Sequence, residues 1–192
     1  SSKETINRVC AQLARPDENE ADSTNRPEII FTGEIGPGEK VEVLKLEEGG
    51  ALKTLSLHLE AENQELALRQ TVLHIICDDF PWGQVQSPAG DFFGAAPGVN
   101  PFDSLPFSVR PDGSMICRYV MPFQNSLRLI LENLGVQTVL ASGSALPMDY
   151  NWDSERSMHF RARWRVSHNI TASNKEGRDL PFLLAWGKGG YV

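Results

Sequence analysis

From Ile29 onward, apolar and polar residues alternate with a period of two. Leu55, Leu57 and Leu59 interleave with Ser56, His58 and Glu60, and Leu127, Leu129 and Leu131 interleave with Arg128, Ile130 and Glu132. This is the pattern of strands buried on one face. Further strands are predicted over Lys40–Leu46, Leu68–Cys77, Ser114–Met121, Val136–Ala141, Ser157–Val166 and Leu180–Trp186. Turn signals separate them at Gly36-Pro37-Gly38, Gly49-Gly50, Pro111-Asp112-Gly113 and Asn133-Leu134-Gly135. About eight strands with two long connections, Asp78 to Phe107 and Leu146 to Glu155, predict an all-β double-sheet jelly roll in preference to a meander.

Ahead of the strands the period is helical. Ile6, Val9, Cys10 and Leu13 follow the i, i+3, i+4, i+7 spacing, Ser1 and Glu4 stand as a capping box, and Arg15-Pro16 ends the pattern. The chain therefore divides into a short amphipathic helix (1–15), a polar linker (16–28) and a jelly-roll domain (29–192). Ala21 is the one apolar side chain before Pro27 in that linker, which cannot repay its own ordering entropy. The helix either packs on a neighbouring surface or binds a partner.

Composition narrows the picture. A chain of 192 residues, 41% hydrophobic, can bury one core. Its 16 glycines and 12 prolines favour many turns between short elements, in keeping with strands. A formal charge of -7 argues against a nucleic-acid partner, and no apolar run approaches the roughly 18 residues of a membrane helix. The chain reads as soluble. Cys10, Cys77 and Cys117 lie far apart with no C-x-x-C, and His58, His74, His159 and His168 lack ligand spacing, so neither a disulfide framework nor a metal site is signalled. The sequon Asn169-Ile170-Thr171 matters only in a eukaryotic secretory pathway.

No G-x-S-x-G elbow, P-loop, dinucleotide fingerprint or H-E-x-x-H occurs. What remains is a long aromatic connection. Asp78-Asp79-Phe80-Pro81-Trp82-Gly83 leads into Ser87-Pro-Ala-Gly-Asp-Phe-Phe-Gly-Ala-Ala-Pro-Gly98, a stretch expected to be neither helix nor regular strand. Loops of this length are functional or disordered, and aromatic content speaks against disorder. Glycines 90, 94 and 98 permit positive φ, so the backbone can present Asp91 in a fixed direction. Two readings of Asp91 stand open. It locks the loop by accepting backbone N–H bonds, with Phe92 and Phe93 as core plugs. Alternatively it binds a sugar hydroxyl or takes part in acid/base work, with Trp82 or a phenylalanine stacked on a sugar ring. Glycosidase chemistry needs two carboxyls roughly 5 to 9.5 Å apart, which sequence does not reveal.

The segment Ser157–Val166 sets Met158, Phe160, Ala162, Trp164 and Val166 on one face and His159, Arg161, Arg163 and Arg165 on the other. Like charges in a row repel. Either carboxylates on adjacent strands answer Arg161, Arg163 and Arg165, or these arginines form a subunit contact or polar ligand surface.

Several motifs occur in a fixed order: Gln84-Val-Gln-Ser-Pro-Ala-Gly-Asp-Phe-Phe-Gly94, Ser104-Leu-Pro-Phe107, Tyr119-Val-Met-Pro-Phe123, Ile130-Leu-Glu-Asn133, His159-Phe-Arg-Ala-Arg-Trp164 and Gly187-Lys-Gly-Gly-Tyr-Val192. The series, covering Ile35 to Val192, resembles the bacterial family long catalogued as domain of unknown function 2961, now glycoside hydrolase family 172. The resemblance implies two tandem jelly rolls, likened to viral capsid proteins and assembled as a trimer or a multiple of it. It implies a furanose-containing oligosaccharide as partner, with fructofuranosyl or D-arabinofuranosyl linkages cleaved by two glutamates in a retaining mechanism. No metal or organic cofactor is implied. Polysaccharide breakdown suits a periplasmic or exported protein. The family's glutamates lie in motifs of the second jelly roll that do not occur here, so no catalytic residue carries over, and this chain alone is expected to be inactive. Asp91, Phe92, Phe93 and Trp82 are the substrate-binding candidates, and a non-catalytic carbohydrate-binding or oligomer-assembly module is the alternative.

Overall fold

A computed structural model of the chain describes residues 3–14 and 26–170. Helix α1 (Lys3–Ala14) comes first, with Ile6 and Val9 exposed on its apolar face. Twelve strands follow: β1 (Ile29–Ile35), β2 (Lys40–Leu46), β3 (Gly50–Glu60), β4 (Thr71–Cys77), β5 (Val85–Pro88), β6 (Phe102–Asp103), β7 (Phe107–Val109), β8 (Met115–Cys117), β9 (Met121–Phe123), β10 (Leu127–Asn133), β11 (Val139–Met148) and β12 (Ala162–Arg163). Two short helices interrupt them, α2 (Gln64–Gln70) and α3 (Ala89–Phe93).

The strands form two sheets packed as a sandwich. One sheet runs β1-β11-β3-β8-β7-β6, with β9 also on β3, and the other runs β12-β5-β4-β10-β2. Chain neighbours β1 and β2, β3 and β4, and β10 and β11 fall in opposite sheets, so the chain crosses the sandwich repeatedly. That crossing pattern is the jelly roll, and it leaves each sheet's interior strands paired on both sides. The alternating leucines supply the inner faces. Leu55, Leu57 and Leu59 of β3 meet Leu73 and Ile75 of β4 and Leu127, Leu129 and Leu131 of β10 in one buried cluster. On the outer face of the first sheet, Ser56 and Ser144 share a cross-strand hydrogen bond of 2.8 Å.

Four expectations are corrected. The run Leu68–Cys77 is not one strand: its start belongs to α2, whose N-cap Asn63 accepts a hydrogen bond from the Leu66 N–H at 3.1 Å, and the strand begins at Thr71. A side-chain cap outweighed β propensity there. The stretch from Ser87 to Gly98 is also more regular than expected, because β5 runs into α3, which ends at Gly94 with φ at 79°. The Ala95 N–H then bonds to the Gly90 carbonyl at 2.7 Å, closing the turn in the way a left-handed C-terminal glycine allows. Ser114–Met121 breaks into β8 and the start of β9. Finally, Ser157–Val166 shrinks to β12. Met158 is 53% exposed, and Trp164 and Val166 are exposed as well. Alternation identifies the two faces of a segment but cannot supply a neighbour to cover them, and among the described residues β12 lies at a sheet edge with β5 alone beside it.

The connector's last part is anchored: Arg26 reaches Asp149 at 2.7 Å and the Gly49 carbonyl at 3.0 Å. The expected cap at Ser1, connector residues 16–25, strand Leu180–Trp186 and block Gly187–Val192 lie outside the described residues.

Candidate functional site

Chemistry gathers where β4 ends. Beyond Cys77 the chain enters the left-handed region at two successive non-glycine residues, Asp78 (φ 55°) and Asp79 (φ 52°). Aspartate tolerates that conformation better than most residues. Gln84, itself buried, holds the loop closed by standing in for a strand: its Oε1 accepts from the Cys77 N–H at 2.8 Å and its Nε2 donates to the Cys77 carbonyl at 3.1 Å. The turn puts the Asp78 carboxylate against the start of β10, where it accepts the N–H groups of Gln124, Asn125 and Ser126 at 3.0, 2.6 and 3.1 Å.

A fourth partner arrives from far along the chain. His159 Nε2 lies 2.6 Å from Asp78 Oδ2. Burial alone would raise the Asp78 pKa, but the N–H groups of Gln124 and Asn125, together with His159 and Ser126, outweigh it and hold the carboxyl below its ordinary value. An ionised carboxylate only accepts, so Nε2 carries the proton in this bond. Two rings contact the imidazole: Trp152 lies tilted by 32° to it at 4.8 Å, and Phe80 meets it edge-on at 5.8 Å. The Arg161 guanidinium stands 6.0 Å from the centre of the Phe80 ring. Trp82, on the same loop, is 54% exposed. With four hydrogen bonds and a depressed pKa, Asp78 is suited to fixing structure and charge. A proton donor to a leaving group needs the opposite.

The Asp91 region is built differently. Phe92 and Phe93 belong to the core, Phe93 with 0% exposure, so the two rings act as plugs between the sheets. Phe92 meets Phe93 at 5.0 Å, Phe107 at 5.7 Å and Phe160 at 6.4 Å in edge-to-face contacts, and Tyr119 continues the cluster on Phe107 and Phe160. Gly90 is required where α3 crosses α2, because a Cβ there would sit 3.0 Å from Leu68 Cβ and 3.1 Å from the Leu68 carbonyl oxygen. Asp91 remains partly accessible. Both of its oxygens take Nη1 of Arg69, the last-turn cation of α2, at 2.6 and 2.7 Å.

The four candidates therefore do not form one cluster. In the β4–β5 pairing, Val72 faces Pro88 and Ile75 faces Val85, so Asp91 follows one end of this hairpin and Trp82 precedes the other. The four paired positions of β5 set those ends apart by on the order of 10 Å. Of the arginines, Arg163 donates to Gln86 Oε1 and Arg161 lies over Phe80. On the same sheet, His74 Nε2 pairs with Glu132 Oε2 at 2.7 Å, and Lys40 meets that carboxylate at 3.1 Å. Burial lowers the His74 pKa, and the nearby Lys40 lowers it further, against the opposing pull of Glu132.

Sequence reasoning did not find His159 and Trp152 as partners of Asp78. Nothing in the spacing of residues so far apart signals their meeting; the sequence marks Asp78 only as part of a long aromatic connection. Among the described residues no group of three or more His, Cys, Asp or Glu side chains is placed to hold a metal ion.

A family model described as GH172 domain-like matches residues 28–145. The matched span contains Asp78, Trp82, Arg69 and Asp91, while Trp152 and His159 follow it. No curated protein matches the chain.

Proposed function

The chain belongs to the GH172 domain-like family, and from that premise we propose that it forms the N-terminal half of a glycoside hydrolase acting on furanosides. In this reading the catalytic glutamates come from a second jelly roll outside this chain, and the described domain supplies binding surface. The observation that carries it is the meeting of Asp78 and Phe80 with Trp152, His159 and Arg161, on a loop that also exposes Trp82. A charged, hydrogen-bonded floor on a loop that carries an exposed indole suits a sugar, whose C–H face stacks while its hydroxyls take polar partners. At the other end of the hairpin, Asp91 and Arg69 offer an acceptor and a donor side by side, a pair suited to vicinal hydroxyls. Phe92 and Phe93 serve that contact from beneath, by holding α3.

The test is furanosidase activity of the complete gene product on fructan- and arabinan-derived oligosaccharides. Activity that falls in Asp91→Asn and in Trp82→Ala while folding is retained supports the proposal. A complete product that folds and turns over neither substrate class rejects it.

A second reading, a non-catalytic carbohydrate-binding or oligomer-assembly module, draws on the edge around β12. Met158, Trp164 and Val166 are exposed there, on a sheet edge where β5 is the one neighbour among the described residues. Assembly in threes or a multiple would cover them. Mass photometry across a concentration series separates the readings, since a monomer at every concentration removes assembly by this chain.

A further inference from the structure

Along the β12-β5-β4-β10-β2 sheet, several cations have a carboxylate partner. Lys40 faces Glu132 at 3.1 Å, Lys45 faces Glu47 at 2.6 Å, and Arg128 faces Glu42 at 3.5 Å and Asp79 at 3.8 Å. Arg161 and Arg163 differ. Among the described residues neither makes a salt bridge: Arg163 donates to the neutral amide of Gln86, and Arg161 lies over the Phe80 ring. Both are exposed, and they stand two residues apart on an extended segment whose backbone is held, Ala162 N–H to the Gln84 carbonyl and Trp164 N–H to the Gln86 carbonyl, each at 3.1 Å. Period-two geometry therefore puts both guanidinium groups on one side, with their stems on the order of 7 Å apart. Two like charges fixed at that distance cost energy in the free protein, and an anion that bridges them recovers it.

The surroundings indicate the kind of anion. Phe80 and Trp82 are exposed on the loop that Arg161 covers, so the cations border an aromatic surface suited to a sugar ring. We propose that Arg161 and Arg163 form a subsite for acidic sugars, in which uronate carboxylates take the two guanidinium groups while an adjoining ring packs on Trp82 or Phe80. This deepens the carbohydrate reading above and rests on the loop 78–83 facing sugar. Since the chain as a whole carries a formal charge of -7, attraction to a polyanion is local and short-ranged, and salt weakens it.

The test is isothermal titration calorimetry of the whole chain with trigalacturonic acid and, in parallel, with neutral arabinotriose, at low and at physiological salt. Expected is binding of trigalacturonate that weakens with salt and falls roughly three- to five-fold in each of Arg161→Gln and Arg163→Gln. Arabinotriose affinity stays unchanged in both variants. Binding of arabinotriose without trigalacturonate, or trigalacturonate binding indifferent to both arginines, overturns the acidic subsite and leaves the proposed function standing. Trigalacturonate binding alone upholds the subsite and counts against a furanoside ligand, whereas silence with both probes removes the two together. Mass photometry adds one more arm: glutamine variants that convert an oligomer to monomer make these arginines a subunit contact and overturn the proposal.

Discussion

His159 Nε2 and Asp78 Oδ2 lie 2.6 Å apart although 81 residues separate them in the chain. The contact joins three stretches at one carboxylate: the loop after β4, the turn entering β10 and the segment before β12. Removing that carboxylate should release all three. Asp78→Ala is expected to destabilise the domain by about 2–4 kcal/mol, since several N–H groups lose their acceptor together. Asp78→Asn, which keeps one acceptor oxygen and tolerates positive φ, should cost about half as much. Urea denaturation measures both, and a chain in which Trp152 is the one tryptophan kept reports on the third stretch through its contact with His159 at 4.8 Å.

Stability should fall on acidification in two separate windows. His74 has a folded pKa below its ordinary 6.5, so the unfolded chain binds the proton more readily. Its contribution is complete above about pH 6.5 and is lost as pH falls toward the folded value. Asp78 and Glu132 are also depressed, from ordinary values of 3.8 and 4.5. Burial opposes both shifts, but it is outweighed at Asp78 by its N–H and His159 bonds and at Glu132 by Lys40 and His74. Their contributions are present above those ordinary values and disappear as pH drops through the folded ones. Thermal unfolding from pH 3 to 8 should show both limbs. His74→Gln should flatten the upper limb and Asp78→Asn should weaken the lower.

Two aromatic substitutions should behave in opposite ways. Phe93→Ala opens a hole in the core and is expected to cost about 3–5 kcal/mol. Trp82→Ala removes an exposed ring and should change stability by no more than about 0.5 kcal/mol. In the proposed function it weakens sugar binding by about ten-fold or more. Chemical denaturation alongside calorimetry distinguishes them.

The Arg69–Asp91 pair is partly open to solvent, with side-chain exposures of 43% and 21%, so its worth to the fold is small. A double-mutant cycle with Arg69→Met and Asp91→Asn should return a coupling of about 1 kcal/mol or less. A much larger value would make the pair a fold determinant and weaken its assignment to sugar hydroxyls.

The legibility of this chain follows from the range of the forces involved. The leucine alternation at 55–59 and 127–131 predicted strands and their buried faces correctly, because a pleated backbone must present every second side chain to the core. The start of α2 was not legible, because the apolar run over Leu68–Cys77 points to a strand and the Asn63 cap shows only once the fold is known. The extent of β12 was not available: pairing depends on what lies alongside, and alternation carries no information about neighbours.

By itself, the sequence determined a β-rich sandwich domain with a preceding helix, the inward side of its long strands, and the presence of an aromatic, acidic connection after β4. Tertiary structure alone decided that Asp78 would meet His159, that Phe92 and Phe93 would plug the core, and that Trp82 and Asp91 would stand at opposite ends of one hairpin. The physical reason is that face and period are properties of the local backbone. Which groups share a hydrogen bond is settled by how the chain crosses between two sheets, a choice made only when the whole core closes.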